Sequence, residues 1–143
     1  MARQDASHLY GEEHVRRYRE TDGELGHDWR EGSPVLLLTT IGRRSGEPRT
    51  TPLIYGRDGD AHLIVASNGG SEAPPGWYAN LQERPEVEVQ VLSDRFRARA
   101  RTATAEERPR MWQEMIGHWR HYDEYQRKTS REIPVVVLER IDT

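Results

Sequence analysis

The 143-residue chain contains no cysteine, which excludes disulfides, thiolate metal sites and cysteine nucleophiles. Lysine is nearly absent too: Lys128 is the only one among 21 basic residues. An arginine bias of this kind follows readily from genome composition and carries no function by itself. With 24 acidic residues the net charge is -3, the wrong sign for a default nucleic-acid binder. No apolar run approaches the ~20 residues of a membrane span, and the N-terminus lacks the apolar segment of a signal peptide. A cytoplasmic protein without an integral membrane segment is expected, with membrane-surface contact left to the N-terminal arm. Gly-x-Ser-x-Gly, Walker and dinucleotide-binding glycine motifs are all missing, which removes most support for nucleophilic hydrolysis and phosphoryl transfer.

Mean hydropathy is low, -0.93, but the deficit is uneven. Apolar residues concentrate in 34–41, 50–66, 87–100 and 133–138, whereas the first 33 residues are strongly polar. That distribution predicts a loosely attached helical arm over 1–33 and one compact domain over 34–143, a length suited to a single core. Leu9 to Arg19 is helix-compatible. Val35 to Ile41 is a continuous apolar run, as in a strand buried on both faces. After the glycine- and proline-marked loop 42–49, strands are expected over 50–57 and 60–66, joined by an Asp58-Gly59 turn. A loop over 67–76 and a short helix over 77–83 precede two strands, 86–92 and 95–102, joined at Ser93-Asp94. A helical region over about 104–128 opens on a Thr104/Glu107 capping box and restarts near Pro109. Met111, Met115, Ile116 and Trp119 share one of its faces. The last strand is 133–139. Six strands with mostly hairpin connections favour an antiparallel barrel with flanking helices, an α+β fold, over a doubly wound sheet.

Four groups of residues can carry chemistry. Arg95, Arg97, Arg99 and Arg101 alternate along one strand face. A Ser93-Asp94 turn would set Gln90 opposite Arg97, Glu88 opposite Arg99 and Glu86 opposite Arg101, so this stripe reads as a charge-matched solvated face. The loop Gly42–Arg49 crowds Arg43, Arg44 and Arg49 around two glycines that let backbone approach an anion; it is an anion cradle or an ordinary hairpin loop. Ser67-Asn68-Gly69-Gly70 is weak alone but can border the same pocket, together with Trp77 and Asn80, which in isolation are a core aromatic and a surface amide. Trp112, Trp119, Tyr122 and Tyr125 form an aromatic stripe that either packs or walls an apolar substrate pocket with phenol hydroxyls as proton donors. His118 and His121 stand three apart without supporting ligands, and no metal site is expected.

The stretch 38–49, Leu-Thr-Thr-Ile-Gly-Arg-Arg-Ser-Gly-Glu-Pro-Arg, resembles the signature loop of the deazaflavin (F420)-dependent nitroreductase family. Ala66-Ser67-Asn68-Gly69-Gly70 followed by Trp77-Tyr78-Ala79-Asn80-Leu81 is similar to its second motif, and Tyr122-Asp123-Glu124-Tyr125-Gln126 with Thr129 and the strand from Ile133 to its third. The resemblance spans roughly 34–140 and implies a split β-barrel oxidoreductase using coenzyme F420 as hydride carrier. By motif, Arg43, Arg44, Ser45 and Arg49 would hold the cofactor's phosphate and glutamyl tail. Val65, Ala66, Ser67 and Asn68, with Gly76, Trp77, Tyr78, Ala79 and Asn80, would border the ring and its linker. Tyr122, Tyr125 and Ser67 would be the catalytic set, with Trp119 on the substrate side. Arg44 and Asn68 stand where the family commonly has lysine, and Trp119 where a tyrosine occurs. The implied reaction is hydride transfer to an activated double bond, quinone or nitro-type small molecule, by a monomer or homodimer. The alternatives are an FMN- or haem-type barrel and a carrier that binds F420, FMN or an apolar ligand without turnover.

Overall fold

The computed structural model describes residues 6–141. Its elements are α1 (Gly11–Thr21), β1 (Val35–Ile41), β2 (Pro48–Ile54), β3 (Gly56–Asp58), β4 (Ala61–Val65), α2 (Gly76–Glu83), β5 (Glu86–Val91), β6 (Asp94–Thr102), α3 (Arg108–His118), α4 (Tyr122–Arg127) and β7 (Val135–Arg140). All strand pairings are antiparallel, in the order β2-β1-β5-β6-β7-β4-β3. Period-two alternation sorts side chains to two sides of this curled sheet. Leu36, Leu38, Ile64, Val87, Val89, Phe96, Ala98, Val136 and Leu138 fill the interior, where Trp77, Tyr78 and Leu81 of α2 join them. Val35, Leu37, Leu63, Val65, Val135 and Val137 point the other way, under Tyr18 of α1, Met111, Trp112 and Met115 of α3 and Tyr122 of α4. Strands β1, β4 and β7 are therefore covered on both faces, which is why they read as unbroken apolar runs.

The sheet has seven strands where six are expected. The run 50–57 divides at Tyr55: β2 pairs with β1, and β3 turns onto β4. This bend curls the sheet toward closure. At Gly56 an added Cβ would lie 2.8 Å from Met115 Sδ and 3.0 Å from the Glu114 side chain, so the absence of a side chain lets β3 pass beneath α3 without displacing them. The following turn is Gly59-Asp60, one residue later than expected, since Asp58 pairs with Ala61.

The β5–β6 turn is displaced as well. Its two residues are Leu92 and Ser93, so Glu88 faces Arg97 and Glu86 faces Arg99, each two residues short of the expected partner. The cause lies outside the hairpin. Leu92 adopts φ 56°, and its N–H donates to Tyr18 Oη at 2.7 Å, so α1 props a residue that is disfavoured in the left-handed region. The charge-matched face persists in altered form: Arg99 approaches Glu86 at 3.8 Å, while Arg101 makes a paired contact with Glu107 at 2.7 and 2.9 Å and reaches Glu139 at 3.2 Å.

The predicted helical region 104–128 is two helices broken at residues 119–121. The capping box forms, with Glu107 N–H donating to Thr104 Oγ1 at 3.2 Å and Thr104 N–H to Glu107 Oε1 at 3.0 Å, and the helix proper begins at Arg108 with Pro109 in its first turn. The first helix starts at Gly11 and ends at Thr21. Tyr18 is fully buried, whereas Tyr10 is 72% exposed. Trp29 stacks on Trp119 with ring centroids 5.8 Å apart.

Candidate functional site

The tight turn Gly42–Glu47 closes on itself through Gly42 N–H to Glu47 O and Gly46 N–H to Gly42 O, both 2.8 Å. A Cβ at Gly42 would lie 2.6 Å from Ser45 Oγ, so the cradle depends on glycine there. Ser45 Oγ accepts the Glu47 N–H at 3.1 Å. Arg43 is already engaged: its Nη1 donates to Asn80 Oδ1 at 2.9 Å and to Gly76 O at 3.2 Å, and its N–H reaches Asn80 Oδ1 at 3.1 Å. Asn80 Nδ2 in turn donates to Thr40 Oγ1 at 3.2 Å. Asn80 is buried, not a surface amide, and it pins the arginine loop to the first turn of α2. Arg44 and Arg49 are exposed and make no hydrogen bond or ion pair with any described residue. Two guanidinium forks beside a glycine turn thus face solvent with their charge unmatched, the arrangement that takes phosphate or carboxylate.

The second motif leaves β4 and runs to α2. Val65 and Ala66 are buried, and Ala66 N–H continues the ladder to Pro134 O at 3.0 Å. Asn68, Gly69 and Gly70 then take φ 47°, 63° and 87°. At Gly70 a Cβ would lie 2.7 Å from Tyr125 O, so this turn abuts α4. Residues 70 and 76 are joined by six peptide units, at most about 20 Å of chain. The connection therefore has the tyrosine helix against one end and Arg43 against the other. The structure brings Ser67 and Asn68 beside α4, and Gly76 and Asn80 beside the arginine loop. Trp77 and Tyr78 are interior residues, with Tyr78 Oη bonded to Thr102 Oγ1 at 2.7 Å. Their side chains fill the core, and Ala79 is half-buried.

On α4, Tyr122 and Tyr125 lie edge to face at 6.0 Å. Trp119 Nε1–H donates to Tyr125 Oη at 3.3 Å, and Trp112 Nε1–H anchors Asp123 at 2.7 Å. Tyr122 is 6% exposed, and its hydroxyl has no hydrogen-bond partner among the described residues. Burial pushes its phenol well above the usual tyrosine range, because the phenolate would be stranded in apolar surroundings. The hydroxyl thus stays protonated and available as a donor.

Sequence reasoning passed over Arg131, whose guanidinium donates to the carbonyls of Ala66, Ser67 and Ser71. Arg131 sits outside any periodic segment and its acceptors are backbone carbonyls 60–65 residues away, so no local signal marks it. Gln126, which the third motif contains without a stated role, ties Arg108, Arg131 and Ile133 together. Among the described residues no group of three metal-ligating side chains converges. His118 pairs with Glu114 at 2.9 Å and His121 with Glu31 at 2.8 Å. An open groove of about 750 Å³ lies elsewhere, lined by Arg19, Thr39, Glu88, Gln90 and Arg97 among others. It holds none of the residues that the three motifs assign to cofactor binding or catalysis, and its size alone does not make it the reactive centre. No helix among the described residues is long and apolar enough to cross a membrane.

Residues 10–140 match the F420H(2)-dependent quinone reductase family. The F420H(2)-dependent quinone reductase Rv1261c of Mycobacterium tuberculosis is 47% identical over 126 residues, covering 86% of this chain and 85% of that protein. Among solved structures, an F420-H2 dependent reductase, FDR-A, superposes with a TM-score of 0.69 at 37% identity over 74% of this chain and 94% of its own. A domain-swapped dimer superposes with a TM-score of 0.72 at 36% identity, over 87% and 96% of the two chains. The haem storage protein HutZ of Vibrio cholerae shares the fold at 12% identity, with a TM-score of 0.59. Matched along nearly its whole described length, with the arginine turn, the β4–α2 connection and the tyrosine helix inside the matched span, the chain belongs to the F420H(2)-dependent quinone reductase family.

Proposed function

We propose that this protein reduces a quinone with reduced F420, binding the cofactor along the 67–76 connection, its acidic tail at Arg44 and Arg49 and its ring beside Ser67 and the tyrosine helix. The observation that supports this most directly is the contrast between the connection's two ends. One end carries two unmatched guanidinium groups, and the other abuts the helix of Tyr122, whose hydroxyl bonds to no described residue. An elongated ligand with anions at one end and a polar ring at the other suits that contrast; FMN, which lacks the glutamyl anions, suits it less.

When bound, reduced F420 supplies a hydride equivalent, and the quinone becomes a quinol on gaining that hydride and a proton. The protein's part is position and electrostatics. Arg44 and Arg49 hold the tail through paired N–H donors. Arg43 and Asn80 keep the turn carrying those arginines in register with α2. Tyr122 Oη–H, its proton held more tightly by burial, donates a hydrogen bond to the developing oxyanion of the quinone, and the proton that completes the quinol comes from solvent. Tyr125 Oη, held by Trp119 Nε1–H, and Ser67 Oγ complete the donor set. Trp119 and Trp112 exclude water from the ring face.

Titration with oxidised F420, read by fluorescence with FMN in parallel, tests the cofactor assignment. Saturable binding that favours F420 and weakens about tenfold or more in Arg49→Ala is expected. A preference for FMN, or no binding, overturns it. Steady-state oxidation of reduced F420 by a water-soluble quinone then separates an enzyme from a carrier, since a carrier would leave the reduced cofactor unspent.

A further inference from the structure

We propose that Arg131 is a positioning residue of this site, turning the N–H groups of Ser67 and Asn68 toward the edge of the bound deazaflavin ring. The inference rests on the reading of the Ser67–Gly70 turn as part of the F420 site.

Arg131 lies in the irregular stretch between α4 and β7. Its Nη2 donates to Ser67 O at 2.8 Å and to Ala66 O at 3.2 Å, its Nη1 to Ala66 O at 3.2 Å, and its Nε to Ser71 O at 2.9 Å. A trans peptide is planar, with each carbonyl and the next N–H pointing to opposite sides. Because the Ala66 and Ser67 carbonyls both face Arg131, the N–H groups of Ser67 and Asn68 both face away from it. Neither finds an acceptor among the described residues. Two adjacent donors aimed the same way, in a turn that cannot slacken, match the carbonyl oxygens along a deazaflavin's pyrimidine edge.

The turn is closed internally by Gly70 N–H to Ser67 O at 2.9 Å and Ser71 N–H to Asn68 O at 3.1 Å, which fix its curvature but do not set which way its outer N–H groups face in the fold. Asn68, Gly69 and Gly70 form a left-handed run, and asparagine tolerates that region without favouring it. Outside contacts orient it. Asn68 Nδ2 donates to Ala73 O at 3.0 Å. Glu72 accepts from Ser130 N–H at 3.1 Å and from Ser130 Oγ at 3.0 Å. Residues 130 and 131 thereby hold the connection from Ala66 to Glu72, while Gln126 Nε2 donates to Arg131 O at 2.8 Å, locking the arginine to the tyrosine helix. A guanidinium fork can serve three carbonyls at once, whereas a lysine ammonium at the same position lacks the planar spread of donors.

The test compares wild type with Arg131→Met, Arg131→Lys and Arg49→Ala, using oxidised F420 and the deazaflavin riboside without phosphate or tail. Dissociation constants, bound absorption spectra and Tm are measured. Both Arg131 variants should weaken both ligands by about tenfold, the worth of two neutral hydrogen bonds, and shift the bound spectrum toward that of free cofactor. Arg49→Ala should weaken F420 alone. Arg131 variants that retain wild-type affinity and spectrum overturn the inference, however far their Tm falls, because a mere loop staple would show only that fall. Amide exchange on wild type is a second measurement that needs no variant. Ser67 and Asn68 N–H should exchange quickly in the free protein and become protected on F420 binding; exchange unchanged by bound F420 overturns the inference. Wild type that fails to bind F420 at all overturns the functional reading itself.

Discussion

Lowering the pH from 7.5 to 5 should destabilise this protein, and His62 should account for much of the loss. The ring is 7% exposed and packed between Tyr55 and Phe96, at centroid distances of 5.6 and 5.4 Å. Burial first, then the positive charges of Arg57 and Arg140, pull its pKa down to about 4, with Asp94 opposing. In the unfolded chain the imidazole titrates near its ordinary ~6.5. Between those values the unfolded state binds a proton that the folded state refuses, so stability is full above pH 6.5 and declines as the pH falls toward 4. With these two pKa values, the linkage relation assigns at most about 2 kcal/mol of loss between pH 7.5 and 5. His14, also lowered by burial, titrates in the same direction, so the wild-type curve alone does not isolate His62. The difference between wild type and His62→Leu does. Urea unfolding of both proteins at half-unit pH steps should show wild type losing up to about 2 kcal/mol more than the variant over that range. Two midpoints that fall in parallel would refute the assignment. The arginine-paired carboxylates, such as Glu107, held near 2 by Arg101, lose their contribution only at lower pH and do not enter this window.

Tyr122→Phe removes a hydroxyl that bonds to no described residue, so stability should change by less than about 0.5 kcal/mol while quinone turnover drops by about tenfold to a hundredfold; unchanged turnover across several quinones would show the phenol to be a bystander. Gly70→Ala places a methyl 2.7 Å from Tyr125 O at φ 87° and should cost about 2 kcal/mol or more in thermal or urea unfolding, with F420 affinity falling alongside. Tyr18→Phe strands the Leu92 N–H and should cost about 1–2 kcal/mol, while limited proteolysis releases the segment before Pro34 sooner; equal midpoints would mean that solvent satisfies that amide.

Which side of the sheet each strand residue faces is legible in the sequence, because alternation and apolar runs are local properties of a pleated chain. Val35–Leu38 and Val135–Leu138 are apolar throughout, and both faces are covered. Glu86 to Val89 and Arg95 to Arg99 alternate, and one face is solvated. The glycine turn at 42–47 and the Thr104/Glu107 box are local as well, and both form where their residues stand. The grouping of the three motifs into one family signature was also open to inspection, since it depends on residue identity and order.

Other features waited on contacts between distant segments. A two-residue turn at 92–93 and one at 93–94 are nearly equivalent within the hairpin; Tyr18, more than seventy residues earlier, decides between them by taking the Leu92 N–H. The break at Tyr55 exists because β3 is needed against β4 beneath Met115, which no pattern within 50–57 encodes. Asn80 looks like a surface amide until Thr40 and Arg43 close around it. Arg131 reads as one more arginine in an arginine-rich chain, and only the fold aims three loop carbonyls at it. Local patterns determine what each segment is and which face it buries, because those preferences are set by neighbours in the chain. The choice among near-equal turns, and the work assigned to each polar side chain, falls to hydrogen-bond partners that only tertiary structure brings within 3 Å.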